Sequence, residues 1–161
     1  MSADNVVPFP RRSISIGGPI DDASVSLGIY GDDLDPEEIT RILGLSPTSS
    51  HRRGDRMRPD GAPFQTGAWG YQVASDDAPE AADLVLGRLL DRLPSDPALW
   101  TGLGQQYDIR IFFCIGFEGW NKGFCLSARN IQRSATLGVR VEFDLYASEN
   151  KPPELDEILN K

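Results

Sequence analysis

Cysteine and histidine are nearly absent from this chain, which has two cysteines, Cys114 and Cys125, and one histidine, His51, in 161 residues. Two cysteines are too few for a disulfide scaffold, and with a single histidine they cannot complete a structural zinc site. Long apolar runs are also missing, and no stretch approaches the ~18 residues of a transmembrane helix. The segment Met1 to Arg12 lacks the apolar core and cleavage site of a signal peptide. Basic residues are outnumbered, 16 against 24 acidic, for a net charge of −8. Nucleic-acid binding needs a basic face that releases counterions, and anionic membranes repel an acidic surface. These absences predict a cytoplasmic protein with reduced thiols, no metal, no cofactor, and neither nucleic acid nor membrane as partner.

What is present is ordinary globular material. Hydrophobic residues make up 40% and charged residues 25%, and a domain of about 150 residues buries roughly 70% of its unfolded surface without staples. The chain divides into an N-terminal tail (1–22), one domain (23–147) and a C-terminal extension (148–161). The tail carries Pro8, Pro10, Gly17, Gly18 and Pro19, with a short extended piece expected at Ser13 to Ile16. Val25, Leu27 and Ile29 then alternate with Ser26, Gly28 and Tyr30, the period of a half-buried strand.

A helix is predicted from Pro36. Asp35 is its N-cap, Glu38 closes a capping box, and Leu34 and Ile39 form a hydrophobic staple. Gly44 stops it in the left-handed conformation and Pro47 forbids continuation. A long loop, Ser46 to Gln65, leads to a strand carrying Trp69, Tyr71 and Val73. Asp76 and Asp77 are expected to cap a second helix, whose stripe of Ala82, Val85, Leu86, Leu89, Leu90 and Leu93 ends at Pro94. A short helical turn follows from Pro97 to Gly104. The strongest strand, Tyr107 to Ile115, is expected to turn through Gly116–Gly123 into a hairpin with Phe124 to Leu126. Symmetric about Gly119 and Trp120, that hairpin would set Cys114 opposite Cys125, most simply as two free thiols. A third helix spans Ala128 to Leu137, capped by Ser127 and stopped by Gly138. A last strand runs from Val139 to Tyr146, and a short helix from Pro153 carries Leu155, Ile158 and Leu159. One apolar strand face with matching helix stripes predicts an α+β two-layer sandwich, a mostly antiparallel sheet with helices on one face, as a ferredoxin-like variant. The opposite face would carry Ser24, Ser26, Gly28, Tyr30, Gly70, Gln72, Arg110, Phe112 and Tyr146. It reads as a solvated face, a dimer or partner surface, or a ligand floor.

Several runs together resemble the bacterial domain-of-unknown-function family DUF4279. They are Asp33-Leu-Asp-Pro-Glu-Glu-Ile39, Leu43-Gly-Leu-Ser-Pro-Thr48, His51-Arg-Arg-Gly-Asp55, Gly67-Ala-Trp69, the Ser127–Gly138 helix, and Val141-Glu-Phe-Asp-Leu-Tyr146. The likeness extends from Ala23 to Ala147. It implies a small bacterial cytosolic domain and brings no catalytic residues to carry over.

The sharpest local feature is the arginine-rich loop His51, Arg52, Arg53, Gly54, Asp55, Arg56, Met57, Arg58, a positive segment in an acidic chain. Guanidinium forks suit phosphate or carboxylate, Gly54 gives backbone N–H groups access to an anion, and Trp69 and Tyr71 follow as rings for stacking. Three uses are open: docking on a protein partner or a second copy, binding a small anionic ligand, or simple pairing with the chain's own carboxylates. Catalysis by His51 with Ser49, Ser50 or Asp55 is disfavoured, because sequence neighbours in one loop rarely form a triad. The acidic run Asp32 to Glu38 lacks the spacing of a calcium loop. Gly102-Leu-Gly104 follows a helical turn, so it is no dinucleotide fingerprint. The expectation is a non-catalytic protein-binding module, with His51, Arg52, Arg53, Arg56, Arg58, Trp69 and Tyr71 as the site; the alternative is an anion binder at the same loop.

Overall fold

The computed structural model describes residues 20–75, 81–119 and 122–148. In chain order these residues form β1 (Asp22–Gly31), α1 (Pro36–Leu43), β2 (Ser49–His51), β3 (Gly67–Ala74), α2 (Ala82–Arg92), α3 (Pro97–Gly104), β4 (Asp108–Glu118), α4 (Ala128–Leu137) and β5 (Arg140–Ser148). The strands make one open sheet in the order β2-β3-β1-β4-β5. β1 is its middle strand, antiparallel to β3 with Leu27 opposite Tyr71 and to β4 with Leu27 opposite Ile111. β2 runs antiparallel to β3, whereas β5 runs parallel to β4. A parallel neighbour needs a crossover connection, and α4 provides it. The α+β fold with a mostly antiparallel sheet is therefore what the strand and helix periods predict. It departs from the ferredoxin-like plan in both strand–helix–strand units: β1 and β3, on either side of α1, are antiparallel direct neighbours, and β4 and β5, on either side of α4, are parallel direct neighbours, with no third strand between either pair.

The core follows from the alternation. Ala23, Val25, Leu27 and Ile29 of β1 are fully buried, as are Ile111, Phe113 and Ile115 of β4. Their face meets α2, which packs across β1 and β3 and brings Val85, Leu86 and Leu89. Helix ends behave as their residues dictate. Asp35 Oδ1 accepts the Glu37 N–H at 3.1 Å, Ser127 Oγ accepts that of Asn130 at 3.3 Å, and Gly44 and Gly138 close α1 and α4 at φ 65° and 66°. The reciprocal half of the α1 capping box is replaced: Glu38 reaches Arg41 one turn on, at 3.6 Å.

Two expectations about connections are corrected. Phe124 to Leu126 form no strand, so the hairpin does not exist. Cys114 lies between Ser24 and Asp144 in the sheet, Cys125 lies outside the strands, and both thiols are free. The segment instead lays Phe124 against Phe143, ring centroids 5.9 Å apart, on its way to α4. The second difference is β2, three residues inside the expected loop that pair with β3 and make β3 an interior strand. The expected caps at Asp76 and Asp77, the extended piece at Ser13 to Ile16 and the helix from Pro153 lie outside the described residues.

Candidate functional site

The arginine loop leaves the end of β2 and folds onto itself. Gly54 N–H donates to the Phe64 carbonyl at 2.9 Å, and Phe64 N–H returns to the Asp55 carbonyl at 2.8 Å. Asp55 Oδ2 accepts the Arg52 N–H at 2.8 Å, and the His51 ring stacks on Phe64 with centroids 3.6 Å apart. His51 therefore lies against an apolar ring, and among the described residues no carboxylate orients it.

The loop is clamped to the start of α1. Arg52 Nη2 donates to Asp35 Oδ1 at 2.6 Å and also pairs with Glu37. Arg53 Nη1 reaches Asp32 Oδ2 at 3.0 Å. Contact with the Glu37 side chain pulls the Asp35 carboxyl below its ordinary value; desolvation opposes this, and the Glu37 N–H and Arg52 guanidinium add to the lowering. Desolvation lowers Arg52, but the Asp35 and Glu37 charges outweigh it and leave the guanidinium raised. Two of the four arginines are thus committed to carboxylates that precede them, Arg52 to the start of α1 and Arg53 to the turn between β1 and α1. Arg56 donates to the Gly61 carbonyl at 2.8 Å within the loop, and Arg58 is exposed. The two rings of the expected site are elsewhere. Trp69 is completely buried, its Nε1–H donating to Thr40 Oγ1 at 3.0 Å, and Tyr71 packs against the core. Trp69 is an α1–β3 packing residue and offers the loop no stacking surface.

The opposite edge of the sheet is built differently. Of seven exposed large hydrophobic residues among those described, Phe143, Leu145 and Tyr146 lie on β5, and a fourth, Phe124, packs its ring at a tilt against Phe143. Phe143 also stacks on buried Phe113 at 4.8 Å. Phe143 and Leu145 point to the helix side of the sheet, yet they are 46% and 56% exposed, because α4 packs on α2 and α3 rather than over its own following strand. The alternation of β5 was legible in the sequence. Where α4 would lie was not, and so this surface was missed.

On the other side of the sheet, β5 is bound into a charge network. Arg110 bridges Asp108 and Glu142, and Arg140 bridges the same two carboxylates. Arg110 also lies over the Tyr30 ring, 4.8 Å from its centroid. Tyr146 donates to Asp144 at 2.6 Å, and that carboxylate pushes the phenol up. Two open hollows, of about 430 and 370 Å³, lie by Trp100 and Tyr107 and by Leu93 and Arg133; neither touches the arginine loop. Among the described residues no three His, Cys, Asp or Glu side chains gather in a metal-binding group, and no helix is long and apolar enough to cross a membrane.

No curated protein and no solved structure matches the chain. A family model does match over residues 21–148, that of a domain of unknown function, DUF4279. With most of its length matched, from the start of β1 to the end of β5, the chain belongs to the DUF4279 family.

Proposed function

We propose that this protein is a non-catalytic protein-binding module whose contact surface is the β5 edge. One observation carries the reading: the apolar residues left uncovered, Phe143 and Leu145 with Phe124 beside them, are contiguous and lie on a strand whose outer edge has no partner among the described residues. Contiguous exposed apolar surface at a strand edge is costly to leave in water and supplies both affinity and backbone hydrogen bonds to a partner. The test is site-specific photocrosslinking in cells, with a photoreactive phenylalanine at Leu145 and, separately, at Arg56. Covalent protein adducts from position 145 support the reading; none from 145 with adducts from 56 moves the contact surface to the arginine loop.

The alternative is a binder of a small phosphate- or carboxylate-bearing ligand at that loop. It draws on the two arginines, Arg56 and Arg58, that make no ion pair among the described residues. A thermal-shift screen of anionic metabolites against wild type and Arg56→Ala tests it, and a stabilising compound whose effect survives the substitution sinks it.

A further inference from the structure

We infer that the partner of β5 is β5 of a second copy, paired antiparallel about a two-fold axis at Glu142. The inference rests on the protein-binding reading above and names its partner and register. β5 is nine residues long, contains no proline and pairs only with β4 among the described residues. Natural sheets usually blunt such an edge with proline, a bulge or charges on the apolar face. Here the charges Arg140, Glu142 and Asp144 alternate with Val141, Phe143 and Leu145, so each face of the strand has one character.

The charge pattern selects the register. With Glu142 on the axis, Arg140 of each copy lies opposite Asp144 of the other, twice. On the other face Val141 lies opposite Phe143, twice, and Leu145 opposite Val139. Opposite charges and aromatic–β-branched pairs are both favourable cross-strand combinations. Moving the axis to Phe143 sets Glu142 against Asp144, moving it to Asp144 sets two carboxylates face to face, and moving it to Val141 sets Arg140 against Glu142, which it already holds within one copy, and leaves Asp144 opposite Gly138 with no cation. Two Glu142 side chains also meet on the chosen axis, but each is already neutralised by Arg110 at 3.0 Å and Arg140 at 3.0 Å. Asp144, in contrast, holds only the Tyr146 hydroxyl among the described residues, so its charge is available to the other copy. The pairing also sets Val141 and Val139 of the other copy beside Phe143 and Leu145, the residues that the helix layer leaves in water.

Sedimentation velocity of the full chain and a cysteine scan test the pairing and its register. Wild type is expected to dimerise with concentration. Phe143→Asp, counted twice across the axis, is expected to weaken the dimer by about a hundredfold, and Asp144→Lys by about tenfold. In a Cys114→Ser, Cys125→Ser background, Glu142→Cys is expected to form a disulfide dimer on mild oxidation, well ahead of Phe143→Cys or Asp144→Cys. A wild type that stays monomeric at every concentration overturns the inference, and so does crosslinking led by position 143 or 144. A monomer that still gives Leu145 adducts with another protein leaves the binding reading standing. A monomer without adducts removes both.

Discussion

The two edges of this sheet treat their exposed backbone in opposite ways. At the β2 edge the strand is three residues long, the chain departs at once into the arginine loop, and that loop is tied to the start of α1 by Arg52 and to the turn before it by Arg53. At the β5 edge the strand is nine residues long, and apolar side chains flank it. A three-residue edge whose chain turns away at once is effectively closed to pairing with another chain, whereas a long apolar one invites it. Arginines in a loop draw the eye as a site, yet here half of them are held by the chain's own carboxylates. The open edge announces itself only through what fails to cover it.

The contrast can be broken from either side. The largest effect is expected at the closed edge from Trp69→Ala, which removes a fully buried ring from between α1 and β3; a loss of about 3–5 kcal/mol by chemical denaturation is expected. Next is Thr40→Val, which leaves the Trp69 Nε1–H buried without its acceptor and costs about 1–3 kcal/mol. Phe143→Asp at the open edge is expected to cost about 1 kcal/mol of monomer stability, the value of its stacking on Phe113, while removing most self-association. A loss several times larger would place Phe143 in the core and erase the contrast.

The smallest effects concern the clamp. Arg52→Ala is expected to leave the melting temperature nearly unchanged and to speed amide exchange in residues 52–55, since exposed ion pairs order a loop more than they stabilise a fold. Acid should do the same. Asp35 has a lowered pKa in the folded protein, so its contribution is present above the ordinary value of 3.8 and is lost as pH falls through the lower folded value. Carboxyl NMR of Asp35 should titrate below 3.8, and Arg52→Ala should move that titration up toward it.

Local chemistry made much of this fold legible. Asp35, Gly44, Ser127 and Gly138 mark the ends of α1 and α4 because capping is a matter of a few adjacent residues. What escaped depends on distant partners. Phe124 to Leu126 are apolar enough for a strand, but three residues cannot declare whether their backbone pairs or merely passes by. Trp69 gives no local sign that α1 packs back onto β3, yet that packing covers its face of the strand and Thr40 accepts the indole N–H. The candidate site was half legible in the same way. The arginines are where the loop puts them, but their pairing with Asp32, Asp35 and Glu37 spans 15 to 21 residues and follows from the turn of the chain between them.

The position of β1 has a consequence for how the chain acquires its shape. The middle strand of the sheet is synthesised before both strands that flank it, and Ser24 must wait for Ala74 on one side and Cys114 on the other. Until then a run containing Val25, Leu27 and Ile29 has two unsatisfied edges and no cover. Such long-range closure slows folding and lengthens the interval in which a nascent chain is vulnerable to aggregation. Serine at positions 24 and 26 and glycine at 28 keep one face of that strand unattractive to other chains while its partners are being made.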